Sequence, residues 1–335
     1  MKRHLGIAAL ALVPLVGLSA CSNGELVATD ALGAQSAQDP NLDSQRIEEV
    51  LQSTQAALDE ADAAFDSSIL NGRVTQGAAR VRAAQYAYAK ASGETLAPLD
   101  LTAEHIAVTN SQSWPRAILN IRQSSGSGLP VVQVFVQDDA RSSYSLTNWC
   151  RMLGGTSVTI PSIDEGSAYV SDDSTGFVMT PKEALQEYVD MLNASLASNE
   201  RFATDEFTTN YLDTVSTLST NLEAAGSITA EAAVSEYPIS GVVVQDGSAL
   251  VAANFTYTLT YSRTVAGSTM RLGGQTATLN EGREDTVKGT AVATYVATVL
   301  ISIPSMTQGG VARIVGADRN IESITLDDST NPDRN

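Results

Sequence analysis

Between Val251 and Ser262 the chain changes side-chain character at almost every step. Val251, Ala253, Phe255, Tyr257, Leu259 and Tyr261 alternate with Ala252, Asn254, Thr256, Thr258, Thr260 and Ser262. A period of two predicts a strand with one face on a core and the other in water, and β-branched and aromatic residues suit such a surface. A strand of this length needs neighbours on both sides and a layer to cover its apolar face. Asp246-Gly247, just before it, reads as a two-residue hairpin turn. Ala266-Gly267, Glu281-Gly282 and Gln308-Gly309-Gly310 divide the remainder into a meander. The run from Thr290 to Ile303 is apolar on both faces, which predicts a central strand covered by helices.

Two helices precede these strands. In Thr180-Pro181-Lys182-Glu183 the threonine is a helix N-cap, the proline has its φ preset for the first turn, and the glutamate can reach back to the cap amide. Leu185, Tyr188, Val189, Leu192 and Leu196 then form one apolar stripe. A second helix is expected from about Asp205 to Ala225, with Phe207, Tyr211, Leu212, Val215, Leu218 and Leu222 at helical spacing.

The first half repeats this order. Ile47, Val50, Leu51, Leu58, Ala61 and Phe65 predict a helix from Leu42 that stops at Asn71-Gly72. Another starts after Thr75, its N-cap, and ends at Ser92-Gly93. Strand-like runs follow at 105–108, 117–122, 131–137 and 144–153, with Ser124-Ser125-Gly126-Ser127-Gly128 as a hairpin loop. Pro161, Gly166 and Gly176 mark a boundary within 161–176. The expected fold is α+β: two similar domains, each with two helices packed on a curved antiparallel sheet, in a cystatin-like or nuclear-transport-factor-like manner. The N-terminal domain spans 42–165, the C-terminal domain 177–327, and 328–335 form a tail. An analogy at the level of fold carries no function with it.

The start of the chain predicts where it works. Lys2, Arg3 and His4 are followed by an apolar run, Leu5 to Gly17, too short to span a bilayer, and then by the lipobox Leu18-Ser19-Ala20-Cys21. Residues 1–20 read as a removable lipoprotein signal peptide, and Cys21 as the thiol that takes a diacylglycerol and becomes the new N-terminus. Each palmitate-like methylene adds about 0.8 kcal/mol of membrane affinity, and two chains hold stably where one does not. Residues 21–41, rich in Ser, Ala, Gly and Gln, form a flexible tether. The chain is thus expected to be lipid-anchored on the extracytoplasmic face of the cell membrane; the alternative is a plainly secreted protein with Cys21 just past the cleavage site.

The lipobox, Arg80-Val81-Arg82-Ala83-Ala84-Gln85-Tyr86-Ala87, Trp114-Pro115-Arg116 leading into a strand, and Thr180-Pro181-Lys182-Glu183-Ala184-Leu185 together resemble an actinobacterial lipoprotein family with a domain of unknown function. The resemblance spans most of the mature chain. It implies the anchor and a two-domain build, and it implies no catalytic residue.

Removing residues 1–20 takes away Lys2 and Arg3 and no acid, so a formal charge of −18 becomes −20. That balance argues against nucleic acid as a partner. With Cys21 acylated, Cys150 has no disulfide partner, and its setting Trp149-Cys150-Arg151-Met152-Leu153 favours a core thiol over a nucleophile. His105 is the one histidine of the mature chain, with no Gly-x-Ser-x-Gly elbow, zinc spacing or phosphate-binding glycine loop beside it. The pairs Asp138-Asp139, Asp164-Glu165, Asp172-Asp173 and Asp327-Asp328 lie in expected turns without calcium-loop spacing. No catalytic, cofactor or metal site is therefore expected. The leading expectation is a non-enzymatic envelope module that binds or assembles with a protein, glycan or lipid. The alternatives are an envelope enzyme using a buried carboxylate or tyrosine, and a small-ligand carrier.

Overall fold

The computed structural model describes residues 39–123, 128–280 and 284–334. The leader, the lipobox, most of the tether, the glycine-serine core of the 124–128 loop and Glu281-Gly282 lie outside the described residues. Pro40–Asn335 forms one compact unit of mixed α+β structure with two antiparallel sheets.

Helix α1 (Ser44–Ala64) begins where the Asp43 side chain accepts the Arg46 amide at 2.8 Å, and Ile47, Leu51, Leu58 and Ala61 are its buried stripe. The helix stops at Ala64 rather than at Asn71-Gly72. Phe65 takes a left-handed conformation (φ 50°) and turns its ring onto Tyr86, with centroids 6.1 Å apart. Asp66 then caps a short 3-10 turn, Ser67–Leu70, and it is this turn that Asn71 and Gly72 close, both at positive φ. Helix α2 (Gln76–Ser92) follows Thr75 and ends at Gly93 as expected. The Thr75 hydroxyl makes no cap bond; it meets the Ser145 hydroxyl at 2.9 Å and ties the helix start to the sheet.

Strands β1 (His105–Val108), β2 (Arg116–Arg122), β3 (Val131–Gln137) and β4 (Ser145–Arg151) pair in the order 1-2-3-4. At the start of β2, the Arg116 guanidinium stacks 3.7 Å over the Trp114 ring. One face of this sheet (Ile118, Phe135, Leu146, Trp149) packs on α1 and α2. The other face (Leu119, Val132, Val134, Cys150) packs on the second sheet through Val242, Leu250, Ala252, Leu300 and Val315. Burial on both faces explains why these strands read as nearly continuous apolar runs.

The stretch within 161–176 supplies β5 (Tyr169–Ser171) to the second sheet. Helix α3 (Pro181–Asn193) carries the full capping box, with Thr180 accepting the Glu183 amide and Glu183 accepting the Thr180 amide. It ends at Asn193, so Leu196 falls outside the stripe and is exposed. The Asn193 amide instead holds both the N–H and the C=O of Ala232, occupying backbone groups of an edge strand. Helix α4 (Glu206–Leu222) starts at the cap Asp205.

Strands β6 (Gly226–Val234), β7 (Ser240–Val243), β8 (Ala249–Arg263), β9 (Thr290–Ile303) and β10 (Arg313–Asp327) complete the second sheet, in the order β10-β9-β8-β7-β5 with β6 also beside β8. A five-residue helix α5 (Gln275–Leu279) lies between β8 and β9. The Asp246-Gly247 turn forms, with the Gly247 amide on Val244 O at 2.9 Å. Strand β9 is central, as its two apolar faces require. Helices α3 and α4 cover one face of this sheet; the first sheet covers part of the other, and α2 lies directly on the rest, its Arg80 paired with Glu322 of β10 at 2.7 Å. Asn254, read as part of a wet face, is therefore buried; a Cβ on Gly77 of α2 would fall 2.0 Å from its Oδ1, so only glycine fits there.

The two sheets also join at a seam. A bulge in β10 between Ile314 and Gly316 frees the Val315 carbonyl to accept the Leu153 amide at 2.8 Å and the Thr156 hydroxyl at 3.0 Å. Met152 bridges to Gly316, where a Cβ would lie 2.9 Å from Arg151 O. The end of β4 is thereby hydrogen-bonded to the edge strand of the other sheet.

Candidate functional site

The residues singled out by chemistry in the sequence mostly resolve into structure. Cys150 is 1% exposed, and burial, reinforced by Asp318, pushes its thiol pKa up, which makes it a packing group. His105 is exposed at the start of β1, 3.9 Å from Glu104 and without a nucleophile beside it. Asp139 accepts from Arg141 and Ser142, Glu165 from Ser162 and Asp327 from Ser329, each closing its own turn. Asp172 holds the Ile239 amide at 3.3 Å. Among the described residues, no three His, Cys, Asp or Glu side chains gather as metal ligands. Burial raises the Asp205 carboxyl, yet its two oxygens receive the Thr208 amide and hydroxyl, so it serves the helix cap.

A buried ion pair lies where the sequence gives no hint of one. Arg82 is 1% exposed in α2; its Nε donates to Asp62 Oδ1 at 2.8 Å, its Nη2 to Asp62 Oδ2, and its Nη1 to Gln85 and Ala97 O. The Tyr86 hydroxyl donates to the same carboxylate at 2.6 Å. The network locks the end of α1 to α2 and to the segment after α2.

The second arginine–tyrosine cluster is open. At the seam, a cavity of about 330 Å³ lies along the edge of β10, between the end of β4, helix α4 and the start of α5. Its wall comprises the Phe207 and Tyr211 rings of α4 and Ala317 of β10. Tyr211 is 3% exposed, and its hydroxyl has no hydrogen-bond partner. A buried hydroxyl left unpaired costs about 1–3 kcal/mol, and this one lies behind the cavity surface rather than open to it. Behind it stand Tyr257, edge-on to Tyr211 at 5.1 Å, and Tyr295, stacked on Tyr257 at 4.7 Å.

The charges of the cavity are unequal. Asp318 is occupied by Arg151, whose backbone amide reaches Oδ2 at 2.9 Å and whose Nε reaches Oδ1 at 2.8 Å. Arg319 pairs with no carboxylate among the described residues; it donates to the Tyr257 hydroxyl at 3.0 Å and lies 6.0 Å over the Tyr295 ring. Burial pushes the Tyr211 phenol up to about 12, so it remains an O–H donor at neutral pH. The Tyr257 phenol is raised by burial too, partly offset by Arg319. Larger cavities exist, one of about 440 Å³ beside the β7–β8 turn and one of about 350 Å³ beside α1. Neither is lined by a buried polar atom that lacks a partner.

Sequence reasoning placed Tyr211 at helical spacing and read the stripe Phe255, Tyr257 and Tyr261 as core, with a pocket lining as the alternative; all four are buried. It gave Arg319 no role, because only the sheet order sets 319 beside 257 and 295. No family model, no curated protein and no solved structure matches this chain.

Proposed function

We propose that this chain is a lipid-anchored, non-enzymatic binding module on the extracytoplasmic face of the cell membrane, and that it takes a small ligand in the seam cavity. The lipobox Leu18-Ser19-Ala20-Cys21 and the tether support the anchor. The Arg319 guanidinium, which lines the cavity and joins no ion pair among the described residues, carries the binding reading. Burial pushes the Tyr211 phenol up to about 12, whereas a base at neutral pH would need the opposite shift, which favours binding over acid–base chemistry. We also read the two halves as related modules of cystatin-like type. The repeated order of two helices followed by an antiparallel meander, with the helices on one sheet face, supports this.

Two measurements in cells test the proposal. Cys21→Ala should move the chain from the membrane fraction to the soluble one; a mutant that still pelleted with membranes would end the anchor claim. A photo-crosslinking side chain in place of Asn210, exposed at the cavity mouth, should capture a ligand adduct by mass spectrometry. The same group in place of Asp59 on α1 should not. Identical spectra from the two positions would remove the binding reading.

A further inference from the structure

We infer that Met306 is a surface oxidation site: its thioether takes one oxygen from a peroxide, while the other sulfur atoms among the described residues are sealed from the same reagent.

Burial separates the sulfurs. Met306, in the turn between β9 and β10, is 70% exposed. Met152, Met179, Met191 and Met270 are 6%, 5%, 2% and 0% exposed, and Cys150 is 1% exposed. Met1 and Cys21 lie outside the described residues. Met179, Met191 and Met270 belong to the core that joins α3 and α4 to the second sheet, and Met152 to the core between the sheets. A peroxide reaches those four only when the packing opens, and opening is rarest in the core. Cys150 is protected in the same way, and as a thiol rather than a thiolate it is a poor nucleophile.

The turn that carries Met306 is pinned. The Met306 amide donates to Gly176 O at 2.9 Å, and the Gln308 and Gly309 amides both donate to Ser305 O. The Gln308 side chain donates to Asp246 O at 2.6 Å, which ties this turn to the one between β7 and β8. None of these bonds uses the Met306 side chain. Oxidation there changes the surface and asks no movement of the fold.

The reaction with hydrogen peroxide is an oxygen transfer. The sulfur attacks one peroxide oxygen, an S–O bond forms and the O–O bond breaks. The sulfur is oxidised by one electron pair, and the proton on the transferred oxygen passes to the departing one, which leaves as water. The product, methionine sulfoxide, is polar and chiral where the thioether was apolar, and reductases restore it. The β9–β10 turn is thus where an oxidant alters the described surface.

Timed hydrogen peroxide treatment of the full-length chain, followed by peptide mapping in a mass spectrometer, tests this. Met306 should gain oxygen about tenfold or more faster than Met152, Met179, Met191 or Met270. In denaturing urea the five should react at closely similar rates. Met306→Leu should leave no fast-reacting methionine within residues 39–334, with near-ultraviolet circular dichroism unchanged. Methionine sulfoxide reductases, one for each epimer, should return position 306 to the thioether. A buried methionine oxidised as fast as Met306 in the native protein would overturn the assignment. So would a Met306 that outpaces the others equally in urea, because its rate would then owe nothing to the fold.

Discussion

Around Arg82 every nitrogen of the guanidinium has an acceptor and the neighbouring tyrosine donates to the shared carboxylate. Around Arg319 the neighbouring acid is already taken by another arginine, and the buried hydroxyl of Tyr211 in the cavity wall has no partner. The residue types are the same: arginine, aspartate and tyrosine. The difference is where the carboxylate comes from. Asp62 sits in the last turns of α1 and meets Arg82 across a helix–helix contact, so the charges close on one another. Asp318 is adjacent in sequence to Arg319 on an extended strand, where successive side chains point to opposite faces, so the two do not pair and Asp318 pairs with Arg151. A closed cluster fixes structure, and an open one leaves donors for something else.

The largest expected effect comes from breaking the closed cluster. Asp62→Ala leaves a guanidinium buried without its partner and should destabilise the fold by about 3 kcal/mol or more, measured by urea unfolding. Arg319→Gln should move the same midpoint by no more than about 0.5 kcal/mol, because Arg319 is exposed and joins no ion pair among the described residues. Comparable losses in both variants would erase the distinction between the clusters.

A finer contrast uses the two tyrosines. Tyr86→Phe removes a 2.6 Å bond to a carboxylate and should cost about 1.5–3 kcal/mol. Tyr211→Phe removes a hydroxyl with no partner and should be neutral or stabilising by up to about 1 kcal/mol. Thermal melts of the two single variants check this, and a clear loss in Tyr211→Phe would show that its hydroxyl is bonded in the free protein.

The smallest effect is alkaline. Burial raises the phenols of Tyr144, Tyr211 and Tyr295 from 10.0 to about 12. Above pH 10 the unfolded chain releases protons that the folded chain retains, so stability present below pH 10 declines as pH rises toward about 12. Tyr211→Phe should make that decline shallower in unfolding midpoints taken from pH 9 to 12. A decline of unchanged slope would mean that the Tyr211 phenol is not shielded.

Much of the architecture was legible locally. The capping box at Thr180, the glycine stop at Gly93, the Asp246-Gly247 turn and the stripe of Leu185, Tyr188, Val189 and Leu192 depend on residues within a turn or two of each other. Errors arose where a distant layer intervened. Helix α1 ends early because Phe65 packs on Tyr86, 21 positions away, and Asn254 is dry because α2 lies over it. The candidate site was less legible still. Its walls come from 151, 207, 210–211, 275 and 317–319, and no spacing in the chain announces that they meet.

Sequence alone determined the α+β class, the doubled order of helices before strands, and most helix starts. Those follow from side-chain period and backbone bonds closed within a few residues, which each segment carries wherever it is placed. The stacking of sheet on sheet, the seam at the β10 bulge, the burial of Arg82 and the setting of Arg319 over Tyr257 and Tyr295 were decided by tertiary structure. Whether a polar group finds its partner depends on which layer covers it, and that is a property of the assembled fold.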